Sequence, residues 1–242
     1  MKRFRTTALI LAVILISVAM MAQPAAAQIW ARLGYWPAHS NVTSGGVFRG
    51  SWDTSMLSLN LRKDINPDWA ISFNGDWGAE SNWAGTWLGA TSGNDSFWNI
   101  NLHRVFMAPT GRFSVFAGYG SVGESNIFPT FSPTAQTFRV SGIRVGVDFM
   151  RQFANAWSVA AWAAFSVGAN GTWTWPGTAA PGPETSTGSF YDYGAVIART
   201  FGSWTLDAGW RSVNANSSGT ANYCNCTFQW TGGTVGISRM FP

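Results

Sequence analysis

The sequence predicts an all-β protein, an antiparallel up-and-down transmembrane β-barrel of ten strands, with eight or twelve strands as the alternatives. Segments of strand length in which apolar and polar residues alternate recur along the chain, and the connections between them are short and long by turns. Charged residues make up only 11% of the chain. A soluble domain usually carries about a quarter charged residues. Successive side chains of a strand face opposite sides, so this alternation suits strands with lipid on one face and water on the other.

The start of the chain has the pattern of a cleaved export signal. A basic segment at 2–5 precedes an apolar run at 8–21, and Ala25-Ala26-Ala27 forms a small-residue cleavage site. The apolar run is shorter than the roughly 20 residues of a membrane-anchoring helix, which is the alternative. We therefore expect a signal peptide at 1–27 and a single barrel domain at 28–242.

Removal of the signal changes the charge argument. Three of the fifteen basic residues and none of the eleven acidic residues lie in it, so the mature chain is almost neutral. The basic isoelectric point is therefore no sign of a nucleic-acid partner. The mature chain has no apolar run long enough for a spanning helix, and a closed barrel is the other way to satisfy a backbone in lipid.

The strand predicted at 69–79 shows the pattern most clearly. Its apolar face begins at Trp69 and ends at Trp77, and its opposite face carries Asn74 and Asp76. An apolar band bracketed by aromatic residues is typical of transmembrane strands. The ten predicted strands cover 29–36, 54–63, 69–79, 97–107, 112–122, 137–150, 157–169, 189–200, 204–213 and 227–241.

Connections and charges together predict the orientation. Barrels of this class have short periplasmic turns and long outer loops, so we expect both termini on the periplasmic side. The predicted long loops are 37–53, 80–96, 123–136, 170–188 and 214–226. Basic residues near the short turns are Arg62, Lys63, Arg104, Arg112, Arg151, Arg199 and Arg239, whereas Glu80, Asp95, Glu124 and Glu184 fall in the long loops.

The end of the chain carries a family resemblance. Val235, Ile237 and Phe241 share one face of the last predicted strand, and Pro242 follows the final aromatic residue. This ending resembles the last strand of bacterial outer-membrane β-barrel proteins, and the chain looks like the small OmpA-like or porin-like barrels. The resemblance implies a location in the bacterial outer membrane, with lipid, lipopolysaccharide and the barrel-assembly machinery as partners; the oligomeric state stays open.

A soluble barrel of the lipocalin kind is the main alternative fold. Such barrels place large apolar residues inside and polar ones outside. The outside of a soluble protein should be rich in lysine and glutamate, but the polar face here is small and mixed, and Lys63 is the one lysine after the signal. This composition favours the membrane barrel.

The predicted lumen carries charges of both signs, which must pair when buried. Two functions follow: a narrow passive pore for small polar solutes, which is our first choice, and a closed structural or surface-contact barrel acting through its outer loops. The predicted lumen residues are Arg32, Arg62, Asp76, His103, Arg144, Asp148, Asp207 and Arg211.

We predict no enzymatic activity, no cofactor and no metal site. An outer-membrane hydrolase is a third hypothesis, in which His39 of the first loop acts as a base with Asp53 or Glu80 near it. In an oxidising compartment Cys224 and Cys226 favour a local disulfide over a metal site.

Tryptophans in the predicted outer loops form the last candidate set. Exposed aromatic residues often mark contact surfaces. We predict that they touch a ligand, a neighbouring subunit or lipopolysaccharide, with packing across the barrel mouth as the alternative. They are Trp83, Trp87, Trp173 and Trp175.

Overall fold

Ten antiparallel strands form one closed barrel in the computed structural model, which describes residues 28–85, 92–127, 136–174, 184–218 and 225–241. The strands are β1 (Ile29–Ser44), β2 (Val47–Asn66), β3 (Trp69–Gly85), β4 (Ser92–Ala108), β5 (Gly111–Ile127), β6 (Gln136–Ala154), β7 (Trp157–Thr174), β8 (Glu184–Phe201), β9 (Trp204–Ser218) and β10 (Cys226–Phe241). Each strand pairs with its sequence neighbours, and β1 pairs with β10 to close the sheet. The prediction of an all-β, ten-stranded, up-and-down barrel is confirmed. Within the described residues, no helix is long and apolar enough to cross a membrane.

The strands extend further at their outer ends than the sequence pattern predicted. They contain 15 to 20 residues, whereas about 9–11 tilted residues cross a bilayer. The predicted lower ends agree to within a few residues. Residues assigned to the outer loops, among them Glu80, Asp95 and Glu124, lie on strands instead. The predicted loops are therefore too long, because their Gly, Ser, Thr and Asn residues also occur in strands outside a membrane.

The largest difference from the predicted loops is at the first outer connection. The loop predicted at 37–53 is a two-residue turn, since β1 continues to Ser44 and β2 begins at Val47. Gly45 and Gly46 have φ values of +57° and +79°. Both central residues of a type I′ hairpin turn need positive φ, which glycine adopts without steric cost.

An apolar belt surrounds the lower part of the barrel, toward the short turns. On β3 it runs from Trp69 to Trp77, about 26 Å along the strand and about 20 Å in height after strand tilt. This is close to the lipid-facing band of transmembrane barrels, about 25 Å tall. Exposed aromatic residues edge it below (Trp69, Phe106, Phe113, Phe153, Phe201, Trp204) and above (Tyr35, Trp77, Tyr119, Tyr191, Trp210).

Above the upper aromatic edge, the polarity of the two faces of the sheet is reversed: the inner face becomes apolar and the outer face becomes polar. Within the belt on β2, Leu57 faces outward and is 68% exposed, whereas Trp52 and Met56, further up, are buried inside the barrel. The outward positions there become polar, as at Asp53 and Ser55. The expectation that apolar side chains face lipid throughout is therefore wrong for the outer part of each strand, where water surrounds the barrel and the apolar side chains turn inward.

The inward apolar residues form a core that fills the upper lumen. Phe138 and Phe228 stack with ring centroids 4.3 Å apart, and Phe97 meets Trp230 edge-on at 5.0 Å. Such contacts add to the large area that aromatic rings bury. The largest members, all 3% exposed or less, are Trp36, Val42, Trp52, Met56, Phe97, Val122, Phe138, Val140, Phe190, Val213, Phe228 and Trp230.

The belt predicts that the same substitution has unequal effects at two outward positions of β4. Leu102 is 48% exposed in the belt, and Asn94 is exposed above it. Leu102→Arg should lower the free energy of unfolding in lipid vesicles by about 2–4 kcal/mol, because a charge then faces acyl chains. Asn94→Arg is the control and should change it by less than about 1 kcal/mol. Guanidinium unfolding followed by tryptophan fluorescence measures both, and equal effects would contradict the position of the belt.

Candidate functional site in the barrel lumen

A charge network crosses the lumen directly below the apolar core, with Arg211 of β9 at its centre. Arg211 Nη1 donates to Asp76 Oδ2 at 2.7 Å, and its Nε donates to Asp192 Oδ1 at 3.0 Å. Asp76 also accepts from the Ser58 hydroxyl at 2.5 Å, and Arg144 Nη2 lies 3.5 Å from Asp192 Oδ2. The two guanidinium groups and the two carboxylates balance, as buried charges require.

Asp192 is the member of this network that the sequence reasoning missed. It lies between Tyr191 and Tyr193, whose exposed rings face outward on β8. Strand alternation therefore places Asp192 inside, so the signal was present in the sequence. Its carboxylate also accepts a hydrogen bond from Trp162 Nε1 at 3.0 Å, and the Arg211 guanidinium stacks 4.7 Å above the Trp36 ring. The network is thereby tied to the core above it.

A second cluster lies lower in the lumen around His103 of β4. His103 Nδ1 is 3.0 Å from Asp148 Oδ2, and its Nε2 is 2.8 Å from the Ser72 hydroxyl. Ser114 donates to Asp148 at 2.5 Å, and Arg62 Nη1 lies 3.7 Å from the same carboxylate.

A third pair completes the set of predicted lumen residues. Arg32 forms a bidentate ion pair with Asp207: Nη2 donates to Oδ1 at 2.6 Å, and Nε donates to Oδ2 at 2.8 Å. All eight residues predicted for the lumen line its inner face, in three separate groups: Arg32 with Asp207, Arg62 with His103 and Asp148, and Asp76 and Arg144 around Arg211.

A vestibule of about 730 Å³ occupies the lumen below the network. Its mouth is at the short-turn end, where Gln28, Ser203 and Met240 line it. Its inner end is formed by Arg144 and Arg211, and the large aromatic residues of the core take no part in its lining. Among the described residues, the lumen is thus open at the bottom and closed at mid-height by two successive layers, one charged and one apolar.

Three carboxylates are buried inside the barrel above the belt. Asp95 faces Glu124 across β4 and β5, and Glu80 of β3 approaches both. Asp95 Oδ2 accepts from the Trp52 indole at 3.2 Å and the Thr54 hydroxyl at 2.5 Å. The side chains of Glu80 and Asp95 interact directly. Within the described residues, no group of three His, Cys, Asp or Glu side chains is arranged to hold a metal ion.

Burial governs the ionisation of these carboxylates. Removal from water raises the pKa of Asp95 to about 6, against the opposing effect of its hydrogen bonds. Burial also raises the pKa values of Glu80 and Glu124, and the charge of Asp95 raises both further. Glycine at 93 leaves room for Glu80, because a Cβ there would collide with Glu80 Oε2 and with Asn126 Oδ1. The cluster is therefore most stable with protons bound.

The hydrolase hypothesis centred on His39, which lies on β1 and not in a loop. Its Nδ1 is 2.9 Å from Asp53 Oδ1, and Asn82 donates to Asp53 Oδ2 at 2.9 Å. Both contacts lower the pKa of Asp53. Glu80, the other proposed partner, faces the lumen. Among the described residues, no serine, threonine or cysteine side chain hydrogen-bonds to the ring.

The remaining predicted residues fall partly outside the described ranges. Trp83 and Trp173 lie on β3 and β7, not in loops. Trp83 stacks on Trp52 at a centroid distance of 5.1 Å, and Trp173 meets Phe138 edge-on at 5.2 Å. Trp87 and Trp175 lie outside the described residues. Cys226 is disulfide-bonded and buried at the start of β10; Cys224 lies outside the described residues, so the proposed pairing stays a prediction.

Comparison with known proteins identifies the class of fold. No family model matches the chain, and no curated protein matches its sequence. The outer membrane protease OmpT of Escherichia coli superposes with a TM-score of 0.57 at 11% identity, over 90% of this chain and 98% of that one.

Other solved structures of similar topology superpose less well. The translocator domain of the autotransporter NalP of Neisseria meningitidis has a TM-score of 0.48 at 11% identity, over 98% of this chain and 96% of that one. The toluene transporter TodX of P. putida has a TM-score of 0.32 at 9% identity, over 90% of each chain. The solved structures that the chain resembles are bacterial outer-membrane β-barrels, and identities this low describe the fold alone.

The charge network predicts a large cost for loss of its centre. Arg211→Leu should lower the free energy of unfolding by about 3–5 kcal/mol, because Asp76 and Asp192 are left buried without their cation. Adding Asp192→Asn should recover part of this loss. Arg139→Leu, at an exposed outward position, is the control and should cost less than about 1 kcal/mol. A loss as small as the control's in guanidinium unfolding would refute the central role of Arg211.

The buried carboxylates predict a pH dependence. The pKa of Asp95 is raised from 3.8 to about 6 in the folded barrel. The stability that its protonated form contributes is therefore fully present below pH 3.8 and is lost as pH rises through 6. The loss should reach about 3 kcal/mol by pH 8, and Asp95→Asn should flatten the curve. The lowered pKa of Asp53 acts in the opposite direction, because the stability that its ionised form contributes is lost in acid. Asp53→Asn should remove this contribution. Unfolding midpoints between pH 4 and 8 measure the effect of Asp95, and midpoints below pH 4 measure that of Asp53, whose pKa is lowered from 3.8. An Asp95→Asn variant that keeps the pH dependence of the wild type would contradict the prediction for Asp95.

Proposed function

We propose that this protein is a closed barrel of the bacterial outer membrane, exported by its N-terminal signal, that does not conduct solutes and acts at the cell surface. The apolar belt and the fold support the location. The passive pore, our first choice from sequence, is not confirmed, and the alternative of a closed structural or surface-contact barrel has the better support.

The observation that carries the proposal is the double seal of the lumen. Arg211 is held between two carboxylates at mid-height, and Trp36, Phe97 and Trp230 pack directly above it with 2% exposure or less. A solute would have to separate buried ion pairs and then pass through packed aromatic rings. The cost of unpairing buried charges is several kcal/mol per ion, so a narrow polar path through this region is disfavoured.

The strands above the belt supply the surface that would act. On β1, Ser44 at the turn lies nine positions beyond Tyr35 at the upper aromatic edge, a length of about 30 Å along the strand. Outward positions in this region are mostly uncharged hydroxyl and amide side chains, such as Ser55, Asn94 and Asn214. Such groups suit contact with the sugars of lipopolysaccharide, which we propose as the neighbour of this region.

Single-channel recording tests the closed barrel. The purified mature protein in planar bilayers should give no current steps above the lipid background. A variant with Arg211→Ala, Phe97→Ala and Trp230→Ala removes one side chain of the network and two of the core, and should give measurable conductance if it folds. Discrete openings of the wild-type protein would overturn the proposal and restore the pore.

A further inference from the structure

A short pattern recurs at the lower end of each strand that runs toward the short turns. A basic residue is followed, two positions later, by a large apolar residue. This spacing places both on the same face of the strand. The five pairs are Lys63 and Ile65 on β2, Arg104 and Phe106 on β4, Arg151 and Phe153 on β6, Arg199 and Phe201 on β8, and Arg239 and Phe241 on β10.

The face that carries these pairs is the outer one. Arg104, Arg199 and Arg239 follow Leu102, Ile197 and Ile237 at spacing two, and these three belt residues are 41–48% exposed. The arginine residues of the lumen network lie on the opposite face. The five basic residues therefore form a ring around the outside of the barrel, at the lower edge of the apolar belt. We call this set the basic ring.

Aromatic side chains hold three members of the basic ring in the same way. Arg104 lies 5.4 Å from the Trp69 ring centroid and 5.8 Å from that of Phe106. Arg199 lies 5.3 Å from Trp157 and 4.8 Å from Phe201.

Arg239 repeats this arrangement on β10, 5.2 Å from Trp204 and 5.3 Å from Phe241. In each case the tryptophan is the cross-strand partner at the start of the preceding strand. A guanidinium stacked on a ring face keeps its in-plane N–H groups as donors.

The ring carries more positive charge than its surroundings neutralise. Asp68 pairs with Arg104 at 3.0 Å. In the described part of the chain, no ion pair engages Arg151, Arg199 or Arg239. Unlike the lumen network, this ring therefore keeps at least three outward-facing cations that form no ion pair with a carboxylate of the described residues.

We propose that the basic ring binds the phosphates of anionic phospholipid headgroups in the leaflet at the short-turn end of the barrel; this rests on the membrane location proposed above. Long basic side chains at a lipid boundary extend toward the headgroups while their stems stay on apolar surface. The forked donors of arginine match phosphate oxygens, and the flanking tryptophans suit the same interfacial depth. A net positive ring favours phosphatidylglycerol over zwitterionic phosphatidylcholine.

Native mass spectrometry of the full mature barrel, with equal amounts of phosphatidylglycerol and phosphatidylcholine of the same acyl chains, tests the proposal. The wild type should retain phosphatidylglycerol about tenfold more than phosphatidylcholine, since each basic residue near an anionic lipid surface contributes favourably. A variant with Arg104, Arg151, Arg199 and Arg239 each changed to Gln should lose this preference. The matched control changes Arg49 and Arg139, exposed arginines of the outer half, to Gln and should keep it.

Each outcome decides the matter. Equal retention of the two lipids by the wild type would overturn the proposal even if the fourfold variant fails to fold. An equal loss in the Arg49 and Arg139 control would also overturn it, because overall charge would then explain the preference. If the wild type inserts into vesicles and shows no lipid preference, only this inference fails. If it stays soluble without any amphiphile, the membrane location itself fails.

Discussion

The structure depends on a reversal of which face of each strand is apolar. In the belt the outside is apolar and the lumen polar; above it the lumen is apolar and the outside polar. Both arrangements follow from the same requirement, that apolar surface avoid water. The reversal is sharp on β2, where Met56 is fully buried inside and the adjacent Leu57 is 68% exposed outside. The level of this reversal sets the position of the upper seal.

The reversal also explains how much of the fold could be predicted from the sequence. Strand number, topology and the short turns follow from alternation and turn residues, because those signals are local. The sequence predicts loops at the outer strand ends, since Ser, Thr, Asn and Gly are frequent there and the apolar residues change phase. That change of phase, as from Phe228 and Trp230 to Val235 and Ile237 on β10, was itself a readable signal of a second environment.

The candidate site was predictable in its parts but not in its pairing. Alternation placed Arg144, Asp148 and Arg211 inside the barrel, but side chains from distant strands meet only once the register and closure are known. Asp76 on β3 contacts Arg211 on β9, 135 residues away. The sequence predicts the strand that carries Asp192, and the exposed Tyr191 and Tyr193 on either side indicate that Asp192 faces the lumen, but its pairing with Arg211 depends on the closed barrel. The buried carboxylates are predicted in loops for a simpler reason, since acidic residues among Gly and Ser are typical of a loop.

The two-glycine turn between β1 and β2 has a consequence for engineering. Gly45 and Gly46 close this hairpin with open space around both, and a Cβ at either would meet nothing within 4 Å. The end of β1 next to this turn contributes Val42 to the core, which is built from residues of many strands around the barrel. Replacing the ends of the strands would therefore disturb the packing of that core. An epitope inserted between the glycines would avoid that packing, which makes this turn the natural point for displaying a foreign peptide on the barrel.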